Sequence, residues 1–298
     1  MHRRTFLQTL GGFALATGVG RALADEQKSP AFRMKFAPHP GQMPTAPKGY
    51  LEQLQFAYDL GFRAWEDNGL GGQSPEMQEK IGTFVKEKGM ALGVMVISGG
   101  HGIHFAKATP EEIAKLEQDM RKGVEVAKRT GQTCMTMIPG PRVKDVPLDE
   151  QIAGAVDVMK RCCDIVEDAG IILVQEPLSH GVTGGAPLLR SFEDGFKLCE
   201  LVNRKSCKLL ADFYHEGTIG NELLLNAEKT WSQVAYVQYG DVPGRKEPGT
   251  GKLDYKSVTK WLHDKGYTGV IGMEHGASKP GQEGLDLLVA SYRGIDIA

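Results

Sequence analysis

Cysteine is scarce in this chain, and its spacing organises nothing. The five thiols, Cys134, Cys162, Cys163, Cys199 and Cys207, are odd in number and form no C-x-x-C pair, which excludes a zinc framework and a disulfide scaffold. Cys162 and Cys163 are neighbours on an expected helix and poorly placed to bridge each other, so free, mostly buried thiols are expected, with one bridge in an oxidising compartment as the alternative. Basic charge is not in excess either. The 35 Lys and Arg stand against 37 Asp and Glu, a net charge of −2; nothing there would neutralise a phosphate backbone, and nucleic acid is not expected as a partner. The 38 glycines show no collagen period and no long Gly/Ser tract, which removes fibrous and wholly disordered readings. No G-x-G-x-x-G turn follows the first expected strand, and neither a P-loop nor a G-x-S-x-G elbow occurs. Gly69 to Gly72 lacks the dinucleotide fingerprint and reads as a loop.

No run is long and apolar enough to span a membrane. The longest candidate, Phe13 to Leu23, is too short and too rich in Gly and Ala. It follows Arg3 and Arg4 and ends in Ala22-Leu23-Ala24. A charged start, a short apolar stretch and a small-x-small site together make an export leader over residues 1–24. Arg3-Arg4-Thr5-Phe6-Leu7 resembles the twin-arginine signal of bacteria, so an exported, periplasmic protein is expected. Export by that route carries folded proteins, often with a cofactor already loaded. Removal of the leader takes Arg3, Arg4 and Arg21 and no acid, so the net charge falls from −2 to −5.

The full 298 residues are 41% hydrophobic, enough to bury a large core. Short apolar runs alternate with helical patterns. Strands are expected at Met34 to Ala37, Phe62 to Trp65, Ala91 to Ile97, Thr133 to Ile138, Ile171 to Val174, Lys208 to Asp212, Val234 to Gln238 and Gly269 to Glu274. Helices lie between them. One begins at Thr109-Pro110-Glu111-Glu112, with Thr as cap, Pro at the first helical position and acids in the first turn. Continuously apolar strands suit a parallel sheet covered on both faces. Eight strand–helix units predict a single α/β domain over residues 25–298, a (β/α)8 TIM barrel, rather than an open doubly wound sheet.

In such a barrel the chemistry sits at the C-terminal ends of the strands. The last four expected strands each end on an oxygen ligand: Glu176 in V-Q-E-P, Asp212 in L-A-D-F-Y-H, Gln238 in V-Q-Y-G-D and Glu274 in G-M-E-H-G. Adjacent strands lie about 4.8 Å apart, so the four side chains can converge on one divalent ion, Mg2+ or Mn2+. The competing reading is that these acids cap helices or pair with lysines. His215 lies just past the Asp212 tip, where it could touch substrate. His39, and His101 in the Gly99–Gly102 loop, face the same rim. His275 should point away from Glu274, because neighbours on a strand face opposite sides. Trp65 and Glu66 could wall the pocket, Trp65 reading more strongly as core. Residues 240–251 hold four glycines and two prolines, a shaped loop whose Arg245 could fork onto a substrate oxygen.

These motifs together resemble one family. Glu176-Pro177-Leu178, the D-x-x-H of Asp212 to His215, V-Q-x-x-D-x-P-G-R-x-E-P-G-T-G from Val237 to Gly251, and G-x-E at Glu274 are similar to the xylose-isomerase-like TIM barrels, and within them to hydroxypyruvate isomerase and related sugar isomerases and epimerases. The resemblance spans essentially the whole chain after the leader. It implies a divalent metal on Glu176, Asp212, Gln238 and Glu274, proton handling by Glu176 and Glu274, and substrate contacts from His215 and Arg245; His101 joins them as a candidate substrate contact from its loop position alone. It implies a small hydroxy-keto acid or sugar as substrate and aldose–ketose isomerisation through an enediol. A 3-epimerase or isomerase of a larger keto-sugar, and a periplasmic sugar-binding barrel without catalysis, stay open as alternatives, as does a homo-oligomer. The Gln at position 238, where 3-epimerase relatives often carry His, and the segment Ser179 to Gly185 depart from the pattern. A DNA-repair nuclease on the same fold would need a histidine-rich multi-zinc cluster that the eight histidines do not supply.

Overall fold

The structure is a computed structural model that describes residues 29–297 apart from His101 and Asn221. The expected export leader, residues 1–24, therefore lies outside the described residues, as does His101. Nine strand segments are formed: β1 (Lys35–Ala37), β2 (Ala64–Trp65), β3 (Ala91–Leu92), β4 (Met95–Ser98), β5 (Cys134–Met137), β6 (Ile172–Gln175), β7 (Cys207–Asp212), β8 (Val234–Tyr239) and β9 (Val270–Met273). The helices between and after them are α1 (Tyr50–Asp59), α2 (Pro75–Lys88), α3 (Pro110–Thr130), α4 (Leu148–Val166), α5 (Phe192–Val202), α6 (Phe213–Thr218), α7 (Leu223–Thr230), α8 (Tyr255–Asp264) and α9 (Gly281–Ile295). The start expected for α3 is a complete capping box: Thr109 Oγ1 accepts from Glu112 N at 3.3 Å, and Glu112 Oε2 accepts from Thr109 N at 2.8 Å.

Seven strands pair in parallel in the order β1-β9-β8-β7-β6-β5-β4, and β2 pairs with β3 in a separate two-stranded piece. The fold is α/β and TIM-barrel-like, but the regular sheet is open. The continuous eight-stranded ring expected from the sequence is corrected in two places. The expected third strand is two segments, broken at Gly93 and Val94, with β3 paired to β2 and β4 paired to β5. Between β1 and β2 the link is a lone bond, Glu66 N to Pro38 O at 3.0 Å. Pro38 and Pro40 follow β1 directly, and proline has no N–H with which to extend a ladder. Another single bond, Val96 N to Asn68 O at 3.1 Å, connects the end of β2 to β4.

The strands alternate between two apolar environments. Leu173, Leu209, Val237 and Ile271 belong to the large cluster packed under the helices. Their neighbours Val174, Leu210, Tyr236 and Val270, with Ala37, Ala64 and Val94, form a smaller cluster on the opposite, inner side. A period of two carries this inner side forward along each strand. Two residues on from Val174, Leu210 and Tyr236 stand Glu176, Asp212 and Gln238; four on from Val270 stands Glu274. Asp212 is in register with Gln238, and Gln238 with Gly272. The packing that drives the sheet together thus delivers four oxygen-bearing side chains to one end of its inner face. Two residues on from Ala64, the same parity delivers Glu66.

Among the described residues no helix is long and apolar enough to cross a membrane. All five cysteines are free, four of them buried and Cys134 half-buried.

Candidate active site

Asp212 sits at the junction of β7 and α6, and its two oxygens divide the work. Oδ1 caps α6 by accepting from Tyr214 N at 2.8 Å. Oδ2 faces inward and lies 3.0 Å from Arg245 Nη2 and 3.4 Å from His215 Nε2. The capping reading of this acid is therefore realised by Oδ1, while Oδ2 is left facing the cluster. The short helix it starts also turns His215 back over the sheet, where Nε2 is 3.7 Å from Glu176 Oε1. Glu176, Asp212 and His215 are all buried and bring three potential metal-ligand atoms within 4.8 Å of one another.

His215 is held from its far side. Ser179 N donates to Nδ1 at 3.2 Å, and Ser179 Oγ lies 2.8 Å from the same atom. A backbone N–H can only donate, so Nδ1 is the acceptor and the ring proton rests on Nε2, toward the acids. Burial, Arg245 and His180 hold the ring neutral, lowering its pKa to about 2.

Arg245 comes from the loop between β8 and α8, and that loop is built around Asp241. Asp241 Oδ1 accepts from Val242 N at 2.9 Å and Leu253 N at 3.0 Å; Oδ2 accepts from Gly249 N at 2.9 Å and Gly251 N at 2.8 Å. Glu247 fastens the same loop to the one after β9 by accepting from Ser278 N at 2.9 Å and from Ser278 Oγ. Arg245 itself has φ +49°, a left-handed conformation uncommon outside glycine. Its Nε donates to Glu274 O at 3.0 Å, and its Nη2 reaches both Asp212 Oδ2 and Glu274 Oε2, the latter at 2.6 Å. The strained turn aims a fixed cation at two acids on different strands.

Glu274 is completed by Asn68, whose Nδ2 donates to Oε1 at 2.9 Å. Gln238 donates from Nε2 to Glu66 Oε1 at 3.0 Å, whereas its own Oε1 is buried without a hydrogen-bond partner. Burial raises the pKa of every acid in the group: Glu176 well above the usual carboxylate range, Glu66 to about 8, Glu274 to about 7, and Asp212 upward despite the opposing pull of Arg245. Glu274's charge adds to the rise at Glu176 and Glu66. Burial alone would lower Arg245, but Asp212, Glu274 and Glu176 outweigh it and keep the guanidinium firmly charged.

A family model described as Xylose isomerase-like TIM barrel matches residues 54–291. The chain belongs to that family. Over 173 residues this xylose-isomerase-like protein is 25% identical to the hydroxypyruvate isomerase of Escherichia coli, covering 57% of this chain and 67% of the relative. Over 179 residues it is 26% identical to the 2-oxo-tetronate isomerase of Haemophilus influenzae, covering 60% and 69%. Among solved structures, 3-keto-D-glucoside 4-epimerase from E. coli superposes with a TM-score of 0.70 at 19% identity, over 88% of this chain and 100% of that one; at that identity the likeness concerns the fold.

The structure gathers Glu176, Asp212, Gln238, Glu274, His215 and Arg245 at one end of the inner face of the xylose-isomerase-like sheet. His39 stands behind them, with Nε2 3.1 Å from His275 O. His275 faces away from the site, its Nε2 2.7 Å from Tyr292 Oη and its ring stacked on Tyr292. Three contributors went unmarked as such in the sequence: Asn68, Asp241 and the Ser179 support of His215. Glu66 was expected only as pocket wall. For Glu66 the strand parity carried the signal; for Asp241 and Ser179 no local pattern did.

Proposed function

We propose that the protein is a metal-assisted isomerase. It would move a proton between adjacent carbons of a small hydroxy-keto acid or sugar through an enediol, with hydroxypyruvate to tartronate semialdehyde as the leading reaction. The observation that carries this reading is the placing of two carboxyls, buried Glu176 and half-buried Glu274, around Asp212, His215 and Arg245, with the Glu274 pKa near 7. A carboxyl that titrates near neutrality can both take and return a proton.

The donor set fits a divalent cation. Several buried acids share one place with raised pKa values, and Gln238 offers a buried oxygen that no donor meets. Glu176, Asp212, Gln238 and Glu274 would hold the ion, and an all-oxygen set suits Mg2+ or Mn2+. His215 could supply a nitrogen, but Ser179 N keeps its proton on the inward Nε2; that atom is better suited to donate to a substrate oxygen. When bound, the ion would polarise the substrate carbonyl and acidify the neighbouring C–H.

The chain's own residues account for the rest. One of Glu176 and Glu274 removes the carbon-bound proton and the other delivers a proton to the adjacent carbon, while the substrate hydroxyl proton passes to the former carbonyl oxygen; exchange with solvent then returns the two carboxyls to their starting states. No oxidant or reductant is required, because the electrons only shift between neighbouring carbons of the same molecule. Arg245 and His215 hold substrate oxygens and neutralise charge as the enediol forms, with His101 expected beside them. Residues 1–24 would direct the enzyme to the periplasm by a twin-arginine route; fractionation of cells expressing the full chain tests that placement.

The reaction is tested by incubating the protein and Mn2+ in D2O with hydroxypyruvate and with a panel of keto-sugars, following carbon-bound deuterium by NMR. Deuterium entry with carbonyl migration supports the isomerase. Entry with inversion at one carbon would make it an epimerase. Ligand binding without exchange would make it a binding barrel, and neither binding nor exchange would end this reading.

A further inference from the structure

Glu66 is 1% exposed and lies under the acidic cluster. It accepts from two residues of β8 that share the inner face: Tyr236 Oη at 2.5 Å onto Oε2, and Gln238 Nε2 at 3.0 Å onto Oε1. Space for this carboxyl has been cleared on two other segments. A Cβ on Gly272 of β9 would lie 2.0 Å from Glu66 Oε2 and 2.9 Å from Gln238 Cγ. A Cβ on Gly93, between β3 and β4, would lie 2.3 Å from Tyr236 Oη and 3.1 Å from Glu66 Cβ. The interior is thus shaped around a side chain that touches no other part of the proposed chemistry directly.

An amide has one end that can ligate a metal and one that cannot. Gln238 spends its N–H on Glu66, and its oxygen is the buried acceptor left without a partner. The Glu66 carboxyl presents two oxygens and no N–H, so it can meet Tyr236 and Gln238 at once. A glutamine at 66 could keep Gln238 only by turning its NH2 onto Tyr236, whose hydroxyl proton would then lose its acceptor, or keep Tyr236 only by turning that NH2 onto the Gln238 donor. We infer that Glu66 is a positioning residue, which fixes the Gln238 amide with its oxygen free for the cation. The inference rests on the proposed function, because it assumes that Gln238 ligates an ion.

The test is Mn2+ affinity of the full chain by titration calorimetry, with Mn2+ EPR as a second readout, in four proteins: wild type, Glu66→Gln, Gln238→Glu and the double variant. Supporting residues behind metal ligands change affinity by about 10- to 100-fold, so Glu66→Gln should weaken Mn2+ binding by at least about tenfold. In the Gln238→Glu background both ligand oxygens are alike and no orientation needs fixing, so adding Glu66→Gln should cost under about threefold, well below the usual effect. Glu66→Asp, which keeps the carboxyl group but retracts it by one methylene, should bind as weakly as Glu66→Gln. Wild-type affinity in Glu66→Gln or Glu66→Asp, or equal losses in both backgrounds, would overturn the inference alone. Absence of saturable Mn2+ binding by the wild type would overturn the functional reading and the inference with it. Melting temperatures in EDTA separate either result from loss of fold, since a merely structural role moves the melting point and leaves Mn2+ affinity unchanged.

Discussion

Arg245 donates from one nitrogen, Nη2, to Glu274 Oε2 at 2.6 Å and to Asp212 Oδ2 at 3.0 Å. A single guanidinium from a loop therefore ties the ends of β7 and β9 together across β8. Removing it leaves buried acids without their counter-charge. Arg245→Met should destabilise the metal-free protein by about 3 kcal/mol at pH 8, the usual cost of breaking a largely buried pair. At pH 5 the cost should shrink, because protonation relieves acids whose pKa values are already raised. Urea denaturation in EDTA at the two pH values checks this; equal losses would show that the guanidinium contributes packing rather than charge.

Glu176→Gln and Glu274→Gln should each fold normally and lose at least about 100-fold in turnover, the lower end of what a positioned acid or base supplies. The appropriate measurement is deuterium exchange at substrate carbon, alongside melting temperature. Near-wild-type exchange in either variant would remove that residue from the proton path.

Asp241 accepts four backbone N–H groups and organises the loop that carries Arg245. In Asp241→Asn one acceptor becomes an NH2 facing two donors. The expected loss is about 3 kcal/mol, given that hydrogen bonds to charged groups contribute about 1.5–3 kcal/mol each. Hydrogen exchange should localise the loosening to residues 241–253. Unchanged protection there would contradict the role assigned to the carboxylate.

His275 is buried and neutral, with its pKa lowered to about 3 by burial. Below the ordinary value of 6.5 the unfolded chain takes up a proton that the folded chain refuses until about pH 3. Stability is therefore fully present above pH 6.5 and drains as pH falls through that window, with a limiting slope of about 1.4 kcal/mol per pH unit for one group. His215, lowered to about 2, acts in the same direction. Metal-free His275→Asn should be less stable at pH 8 but show a shallower acid limb. An unaltered slope would assign the acid sensitivity elsewhere.

Burial pushes the thiol of Cys134 up to about 11 and that of Cys162 up to about 12. Thiolate, not thiol, is the reactive form. A thiol reagent at pH 8 should modify at most Cys134 on the minutes scale in the native protein, and all five cysteines in guanidinium. Rapid native modification of two or more would show that the helices over them open.

The amino-acid sequence by itself determined where chain direction and burial change. Apolar runs, Gly stops and the Thr109 cap are local signals, and apart from the expected third strand, which splits into β3 and β4, the elements they mark form with only small shifts at their ends. It also determined which residues share a face, because strand parity is a covalent property of the extended chain. Glu176, Asp212, Gln238 and Glu274 stand out on that ground alone, each an oxygen-bearing side chain at the tip of an apolar run. The tertiary structure decided what those residues meet. Which strands pair, and where the ring of pairing lapses at Pro38 and Gly93, depends on contacts far apart in sequence. So does the seating of Arg245 on Asp212 and Glu274, which needs the left-handed turn that Asp241 and Glu247 hold in place. The six-residue α6 was hidden because its start coincides with Asp212 and it is too short to show a period. Glu66 had the right parity, but only its approach to Tyr236 and Gln238, 170 and 172 residues away, distinguishes a support for the site from one more buried acid.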